Sequence, residues 1–400
     1  MLILVINSGS SSLKYKLYQM KTETILAAGL VERIGSSNGN AVISHQIKDG
    51  DKIKLEQKVN NHNEALKAVL EYLTYGETGL LKSLDEIKAV GHRVLHGGEI
   101  YSSAIIVGDE ELANIESLKE LGPLHMPPNI MGIKACQELM PDTPQIAVFD
   151  TAFHQTMPRS SFLYALPYEY YEKYQIRRYG FHGTSHRYVS NRSAQILGKN
   201  LAKLKMITLH LGNGSSIAAI KDGKCYDTSM GFTPLEGLVM GTRCGDIDPA
   251  IVPFLENALK LTPTEVDNLM NKKSGLLGMT GFSDMRDIQK AREDGNERAQ
   301  DVYGIFIHRL IKYIGSYYAA LGGLDVLVFT AGIGENDYVI RADVCKSLAH
   351  LGIEFDDKKN DGSRGKEIII SKPRSKVTVM VVPTNEELLI ARDSYELIKN

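Results

Sequence analysis

Residues 2–18 read LILVINSGSSSLKYKLY. Five apolar residues, Leu2 to Ile6, run into Asn7, Ser8, Gly9, Ser10, Ser11 and Ser12, and an alternating stretch resumes at Leu13. The first run reads as a buried strand and the second as a half-buried one, so the hydroxyl-rich segment between them is a hairpin turn. Such a turn, rich in backbone N–H and hydroxyl donors, is suited to hold phosphate oxygens. The pattern returns at residues 210–218, HLGNGSSIA, where Gly214 stands 205 positions after Gly9 in a chain of 400. A duplicated unit is the simplest account, each copy opening on a hairpin whose glycine lets the backbone turn tightly and approach a ligand. A nucleotide's phosphates are then gripped between the two copies.

Six apolar runs end abruptly in polar residues. LILVI (2–6) ends at Asn7, the run around Ile87, Ala89 and Val90 ends in GHRVLHGG (91–98), and QIAVF (145–149) ends at Asp150. MITLHL (206–211) ends at GNGSS, DVLVF (325–329) at TAGIGEN (330–336), and VTVMVV (377–382) at PTNEE (383–387). Short β-rich runs alternating with longer helical patterns predict an α/β architecture, in which ligands collect beyond the carboxyl ends of strands. The polar tails mark a cleft. No GxxxxGK[ST] and no strand-GxGxxG-helix unit occurs, which excludes a P-loop and argues against a dinucleotide fold.

Composition narrows the class. A chain with 43% hydrophobic and 24% charged residues buries a large core, and its length favours two domains. A net charge of -2, with the basic residues dispersed, gives no reason to expect nucleic acid or a membrane surface as partner. Cys136, Cys225, Cys244 and Cys345 form no CxxC pair, which points to a reducing compartment, the cytoplasm. No basic segment precedes the first apolar run and no stretch approaches 18 consecutive apolar residues, so neither export nor a membrane span is expected.

The paired phosphate hairpins and the Gly-rich TAGIGEN segment resemble the actin, Hsp70 and sugar-kinase superfamily, whose two duplicated ribonuclease-H-like domains close on ATP across a cleft. The resemblance sharpens to the acetokinase family. NSGSSSLK (7–14), GHRVLHGG (91–98), FDTAFHQTMP (149–158), RRYGFHGTSHRYV (177–189), HLGNGSS (210–216), DTSMGFTPLEGLVMGTR (227–243), GIGEN (332–336) and PTNEE (383–387) carry it, in order, along essentially the whole chain. It implies the reaction acetate + ATP ⇌ acetyl phosphate + ADP with Mg²⁺, or Mn²⁺ in its place, in a homodimer formed through the second domain. The alternative within the class is a kinase preferring propionate or butyrate. A chaperone-type ATPase would need a peptide-binding domain after its nucleotide domains, and an actin-like filament protein would not need Arg93, His182 and Arg243 together.

The resemblance also assigns roles. Arg93 and Arg243 offer planar forks to carboxylate or phosphoryl oxygens, Arg243 from a glycine-flanked GTRCGD turn. His182 is a neutral or charged donor to the phosphoryl group in flight. His186, four residues on, invites a zinc reading, but no HExxH pair or third ligand accompanies it. Asn7 and Glu386 are the magnesium residues. Asp150 acts either as acid/base or by holding metal-bound water, and the second role is favoured because acetate is already ionised at neutral pH. Ser10, Ser12, Lys14, His210, Leu211, Gly212, Asn213 and Gly214 touch ATP phosphates; Asp284, Met285, Arg286, Gly332, Ile333, Gly334, Glu335 and Asn336 lie on the adenosine side. Leu95, Leu124, Phe181 and Pro234 wall the methyl pocket, the bulk of Leu95 favouring acetate. LGPLHMPPN (121–129) departs from the family's LAPLHNPAN, and Cys244 replaces the usual serine, so oxidant or alkylating-agent sensitivity is expected beside Arg243.

Local patterns complete the expectation. Thr384 and Glu387 have capping-box spacing, which leaves Glu386 for chemistry. The first domain is expected over 1–150 with the C-terminal helix 386–400 returning to it, and the second, carrying nucleotide and dimer surfaces, over 151–385. The stretch 302–323 reads as a helix apolar on most sides, either deep core or a subunit interface.

Overall fold

The computed structural model describes residues 1–36, 39–48, 50–75 and 79–399. They form two compact units, one of Met1–Ala152 together with the chain from Asn385 onward, the other of Phe153–Thr384. Asn400, which the sequence reading includes in the C-terminal helix, lies outside the described residues.

The first unit is built on an eight-stranded sheet of β1 (Leu2–Ser8), β2 (Ser12–Gln19), β3 (Thr24–Glu32), β4 (Ala41–Ile47), β5 (Ile53–Gln57), β6 (Ile87–Val94), β7 (Ile105–Ile106) and β8 (Gln145–Phe149). Their order is β5-β4-β3-β2-β1-β6-β8-β7. The first five form an antiparallel meander, β6 joins β1 in parallel, and β8 joins β6 in parallel. The second unit contains β9 (Met206–Leu211), β10 (Ser215–Lys221), β11 (Lys224–Thr228), β12 (Val326–Thr330), β13 (Ile368–Ile369) and β14 (Thr378–Val381), in the order β11-β10-β9-β12-β14-β13. Here β9 to β11 are antiparallel while β12 and β14 run parallel to β9. The path β3-β2-β1-β6-β8 therefore recurs strand for strand as β11-β10-β9-β12-β14.

The six apolar runs are the three mutually parallel strands of each sheet, which are covered on both faces and so read as continuous hydrophobic segments. Their polar tails all leave at the carboxyl edge. Helices cover the faces. In the first unit, a Cβ on Gly91 of β6 would lie 2.5 Å from Ser394 Oγ and 2.7 Å from Ile390 Cγ2, so only glycine lets the C-terminal helix Glu386–Ile398 lie this close. In the second unit β9 alternates: Ile207, Leu209 and Leu211 enter the core shared with helix Glu297–Leu321, while Met206 packs on the opposite face beside Val189 of helix Gly183–Ile196.

Two local expectations are corrected. The C-terminal helix is capped by Asn385, whose side chain accepts from Leu388 N, and not by Thr384; Glu387 is drawn away to Lys14 and Lys16. The helix Glu297–Leu321 is not apolar on most sides. One face (Val302, Phe306, Leu310, Ile314, Tyr317, Leu321) is core, and the other exposes Asp301, His308 and Lys312 beside Ile305. Among the described residues no helix is long and apolar enough to cross a membrane.

Candidate active site

In the first unit the residues at the carboxyl edge form a charged cluster. Arg93, near the end of β6, donates from Nη2 to Asp150 Oδ2 at 2.5 Å and from Nε to both carboxylate oxygens at 3.1 and 3.2 Å. Sequence reading missed this pair, because β6 and β8 become neighbours only through the fold. Asp150 is buried, and its charge holds the Arg93 guanidinium well above its ordinary pKa. Glu386, the first residue of the last helix, lies 3.9 Å from Arg93 Nε. Burial, with Asp150 and Glu387 nearby, pushes its carboxyl up to about 7 despite Arg93 and Lys14.

A carboxylate whose charge is disfavoured by burial and by two neighbouring acids fits a cation. Asn7 on β1 and Glu386 offer the hard oxygen donors that Mg²⁺ takes, with Asp150 close to the latter. Among the described residues no group of three or more His, Cys, Asp or Glu is placed to hold a metal. The fit is therefore to an ion that keeps water and phosphate ligands, as Mg²⁺ does.

Around this cluster, Ser10 is exposed and Ser12 half-buried in the first hairpin turn. Lys14 pairs with Glu387, which Lys16 also approaches at 3.3 Å. Burial would raise the Glu387 carboxyl, yet Lys16 and Lys14 hold it down at about 2. Leu95 is buried, whereas Leu124 is 59% exposed. Asn129, which sequence reading passed over inside LGPLHMPPN, accepts from Leu95 N at 3.0 Å and donates to Ser8 O at 2.8 Å. It ties the first hairpin to the expected acyl pocket.

The second unit brings its predicted residues together around Gly214. A Cβ there would stand 3.5 Å from Arg243 Nη1, 3.5 Å from His182 Cε1 and 3.6 Å from His182 Nε2. Neither Gly9, Gly212 nor Gly214 has a positive φ, so the expectation that these glycines serve the turn conformation gives way to space; a side chain at 214 would enter the room shared by His182 and Arg243. His182 precedes helix Gly183–Ile196 in the left-handed region, φ 56°, a conformation that a non-glycine side chain holds only when its surroundings enforce it.

Those surroundings are a buried polar network. The His182 ring stacks on His210 with centroids 4.1 Å apart, and its Nδ1 lies 2.9 Å from Ser216 Oγ. Ser216 Oγ also lies 2.8 Å from Nε2 of His186, whose Nδ1 is 2.7 Å from Thr208 Oγ1. His210 Nδ1 meets Ser185 Oγ at 2.8 Å. Burial, and the nearby His154 and His210, hold His186 well below its ordinary pKa and so uncharged. Thr208, His210 and Ser216 occupy alternate positions of β9 and β10, on the face that meets His186. Of these, the sequence reading named only His182, His186 and His210.

Arg243 is largely buried and has no acidic partner among the described residues. Its Nη1 donates to Pro234 O at 3.2 Å and lies 3.6 Å from Met240 Sδ, and burial pushes its pKa below the ordinary value. An uncompensated buried cation is costly, and an anion relieves it. Its loop is held from outside: Arg178 donates to the carbonyls of Thr228, Ser229 and Met230 and pairs with Glu236, and Arg309 and Tyr313 both grip Asp246. Phe181 is buried and Pro234 half-buried. Cys244 is partly buried, its Sγ 3.2 Å from Gly245 O, and burial raises its pKa. A raised pKa lowers the thiolate fraction and so slows the reaction with oxidants and alkylating agents that the sequence leads one to expect.

The adenosine-side residues serve local structure as well. Asp284 caps helix Met285–Glu293 and pairs with Arg286, which is 87% exposed; Met285 is in the core. In helix Ala331–Asn336, Glu335 accepts from Ala331 N at 2.7 Å and Thr384 N at 3.0 Å, and Asn336 donates to Gly332 O at 2.9 Å. Ile333 packs on the core, and neither Gly332 nor Gly334 needs a positive φ; that strain falls on Ala331, φ 63°. His210, Leu211, Gly212 and Asn213 form the end of β9 and the second hairpin turn.

The chain is similar to known proteins over its whole length. A family profile described as the Acetokinase family matches residues 2–392. An acetate kinase of Carboxydothermus hydrogenoformans is 56% identical over 400 residues, which cover 100% of both chains. The crystal structure of Porphyromonas gingivalis acetate kinase superposes with a TM-score of 0.95 at 49% identity, covering 99% of each chain. That of a propionate kinase from Francisella tularensis superposes with a TM-score of 0.92 at 43% identity, covering 99% of this chain and 100% of that one.

Proposed function

Because the chain belongs to the acetokinase family, kinases that phosphorylate the carboxyl group of acetate with ATP, we propose that Arg243 and His182 bear the charge of the phosphoryl group during transfer. The observation that carries this is the unpaired guanidinium of Arg243, which shares with His182 the space beside Gly214. Acetate is ionised at neutral pH and attacks the γ-phosphorus without a general base. A carboxylate O–P bond forms, the bond to the β–γ bridging oxygen breaks, and ADP leaves with that electron pair. Charge spread over the equatorial oxygens is what the protein must neutralise, and fixed donors in a dry site do so most effectively.

The remaining residues position the reactants. His210, Leu211, Gly212, Asn213 and Gly214, with Ser10, Ser12 and Lys14, line the polyphosphate. Asp284, Met285, Arg286 and the 332–336 segment meet adenosine mainly through backbone, since their side chains serve local structure. Arg93 orients the acetate carboxylate, and Leu95, Leu124, Phe181 and Pro234 select its methyl group. Asn7 and Glu386 would hold Mg²⁺, and Asp150 a water on it; there the ion would neutralise phosphate charge and fix the donor's orientation. Asp150 holds Arg93 by their direct ion pair.

Two further readings belong to the family. The chain works as a homodimer: helix Ile251–Leu259 buries none of its residues within the chain, yet exposes Ile251, Phe254 and Leu259. Four free cysteines suit the cytoplasm. Trapping acyl phosphate with hydroxylamine, with ATP, Mg²⁺ and acetate, propionate or butyrate in turn, tests the reaction. The highest kcat/KM is expected for acetate, by the 10- to 200-fold or so that one methylene commands.

A further inference from the structure

The Thr208–His186–Ser216–His182 chain is a hydrogen-bonded row of four side chains, and counting its protons gives it a direction. Among the described residues Thr208 Oγ1 has no partner but His186 Nδ1, and Ser216 Oγ has none but the two imidazoles. Thr208 and Ser216 are both wholly buried. A hydroxyl carries one proton and a neutral imidazole one N–H.

Run one way, Thr208 donates to His186 Nδ1, His186 Nε2–H donates to Ser216, and Ser216 donates to His182 Nδ1. Every buried donor then has an acceptor. Run the other way, His182 Nδ1–H donates to Ser216, Ser216 to His186 Nε2, and His186 Nδ1–H to Thr208. The Thr208 hydroxyl proton is then left buried with no acceptor, an arrangement that folded proteins avoid. An imidazolium at His182, whose nitrogens must both donate, requires either this second direction or a Ser216 oxygen that accepts from both imidazoles, which leaves its own buried hydroxyl proton with no acceptor. A charged His186 is disfavoured by its burial.

We propose that Thr208, His186 and Ser216 are positioning residues that lock His182 as the neutral Nε2–H tautomer, so that it presents an uncharged N–H donor to the phosphoryl oxygens. The inference deepens the reading of His182 as a phosphoryl donor and rests on it. It also settles which form the sequence left open. A neutral donor stands next to the Arg243 guanidinium without like-charge repulsion, so one guanidinium and one N–H share the room beside Gly214. The lock keeps the nitrogen that faces this room protonated and the one that faces the core bare.

The test uses the full-length protein labelled with ¹⁵N-histidine. Long-range nitrogen–proton correlation spectra at neutral pH, with and without Mg·ADP, should show His182 with a bare Nδ1 and a protonated Nε2. Thr208→Val keeps the shape of the side chain and removes its donor. It should populate the Nδ1–H form and lower kcat by about 10-fold, less than the ~10² or more seen when a transition-state donor is lost outright. KM for ATP and acetate should stay within about two-fold, as expected when only transition-state stabilisation is lost. Thr208→Ser, which keeps the donor, should restore both the spectrum and the rate. An Nδ1–H or doubly protonated His182 in the wild-type spectrum overturns the proposal, as does unchanged kcat in a folded Thr208→Val protein. Full turnover in His182→Ala, with the tautomer as expected, would instead overturn the role of His182 on which the proposal rests.

Discussion

Replacing Arg243 by alanine should separate activity from stability more cleanly than any other change in the site. Among the described residues its head group has a carbonyl and a thioether for company and no carboxylate, and burial already pushes its pKa down. Alanine there leaves no protein charge unpaired, so the folded state should lose little or gain slightly. The transition state loses a guanidinium, worth about 10³-fold or more in phosphoryl transfer, or about 4 kcal/mol at 1.36 kcal/mol per factor of ten. Arg93 is the contrasting case. Removing it takes from Asp150, whose side chain is 1% exposed, its ion-pair partner, and breaking such a buried pair costs roughly 3 to 5 kcal/mol. For a unit of this size that lowers Tm by about 10 °C. The assay pairs initial rates of acyl phosphate formation with calorimetric melting of both variants. The reasoning fails if Arg243→Ala melts as early as Arg93→Ala, or if it turns over within about tenfold of wild type while folded.

His92, fully buried and facing Gln145, is pushed down to about 4 by its burial. Between the unfolded value near 6.5 and this folded value the unfolded chain binds more protons, so its contribution to stability is present above pH 6.5 and declines as pH falls to 4. The loss is on the order of 3 kcal/mol, and His92→Gln should flatten that part of a urea-midpoint profile. At Gly122, a Cβ would lie 2.7 Å from Leu95 Cδ2 and 3.1 Å from Met126 Cγ. Gly122→Ala should therefore displace Leu95 and lower kcat/KM for acetate by several-fold with a smaller effect on KM for ATP, which steady-state kinetics will show. Cys244, with its raised pKa, should react with iodoacetamide more slowly than free cysteine at pH 7.5, and mass spectrometry of the timed digest measures the rate. Phe254, 64% exposed, should hold the dimer; Phe254→Asp is expected to halve the mass seen by light scattering.

What was legible in the sequence was what strand periodicity and short motifs encode. The segments QIAVF and MITLHL are β8 and β9 to the residue, and the resemblance of VINSGSSSL to HLGNGSSIA foretold the repeated sheet path. Arg243, His182 and Gly214 were named singly, and the fold shows them sharing one space. What stayed hidden was pairwise. Arg93 and Asp150 are 57 residues apart, Lys14 and Glu387 are 373 apart, and neither spacing signals a contact. The spacing at Thr384 and Glu387 misled for the same reason: a capping box is local, and two distant lysines outbid it. Thr208 and Ser216 were invisible because a serine or threonine inside a strand looks like any strand residue until the opposite helix is known to present a histidine.

The two units leave opposite charges unsatisfied, and this narrows what can bind. In the first, burial, with Asp150 and Glu387 nearby, pushes the Glu386 carboxyl up to about 7 even though Arg93 and Lys14 draw it down. In the second, Arg243 has no acidic partner among the described residues. Within its own unit an anion relieves Arg243, and within the other a cation relieves Glu386. Glu386→Gln should then weaken the preference for Mg·ATP over free ATP, while Arg243→Ala should weaken binding of both forms alike. Equilibrium dialysis at fixed ATP and stepped Mg²⁺ distinguishes the two, and an equal loss of Mg²⁺ dependence in both variants would contradict this division of charge.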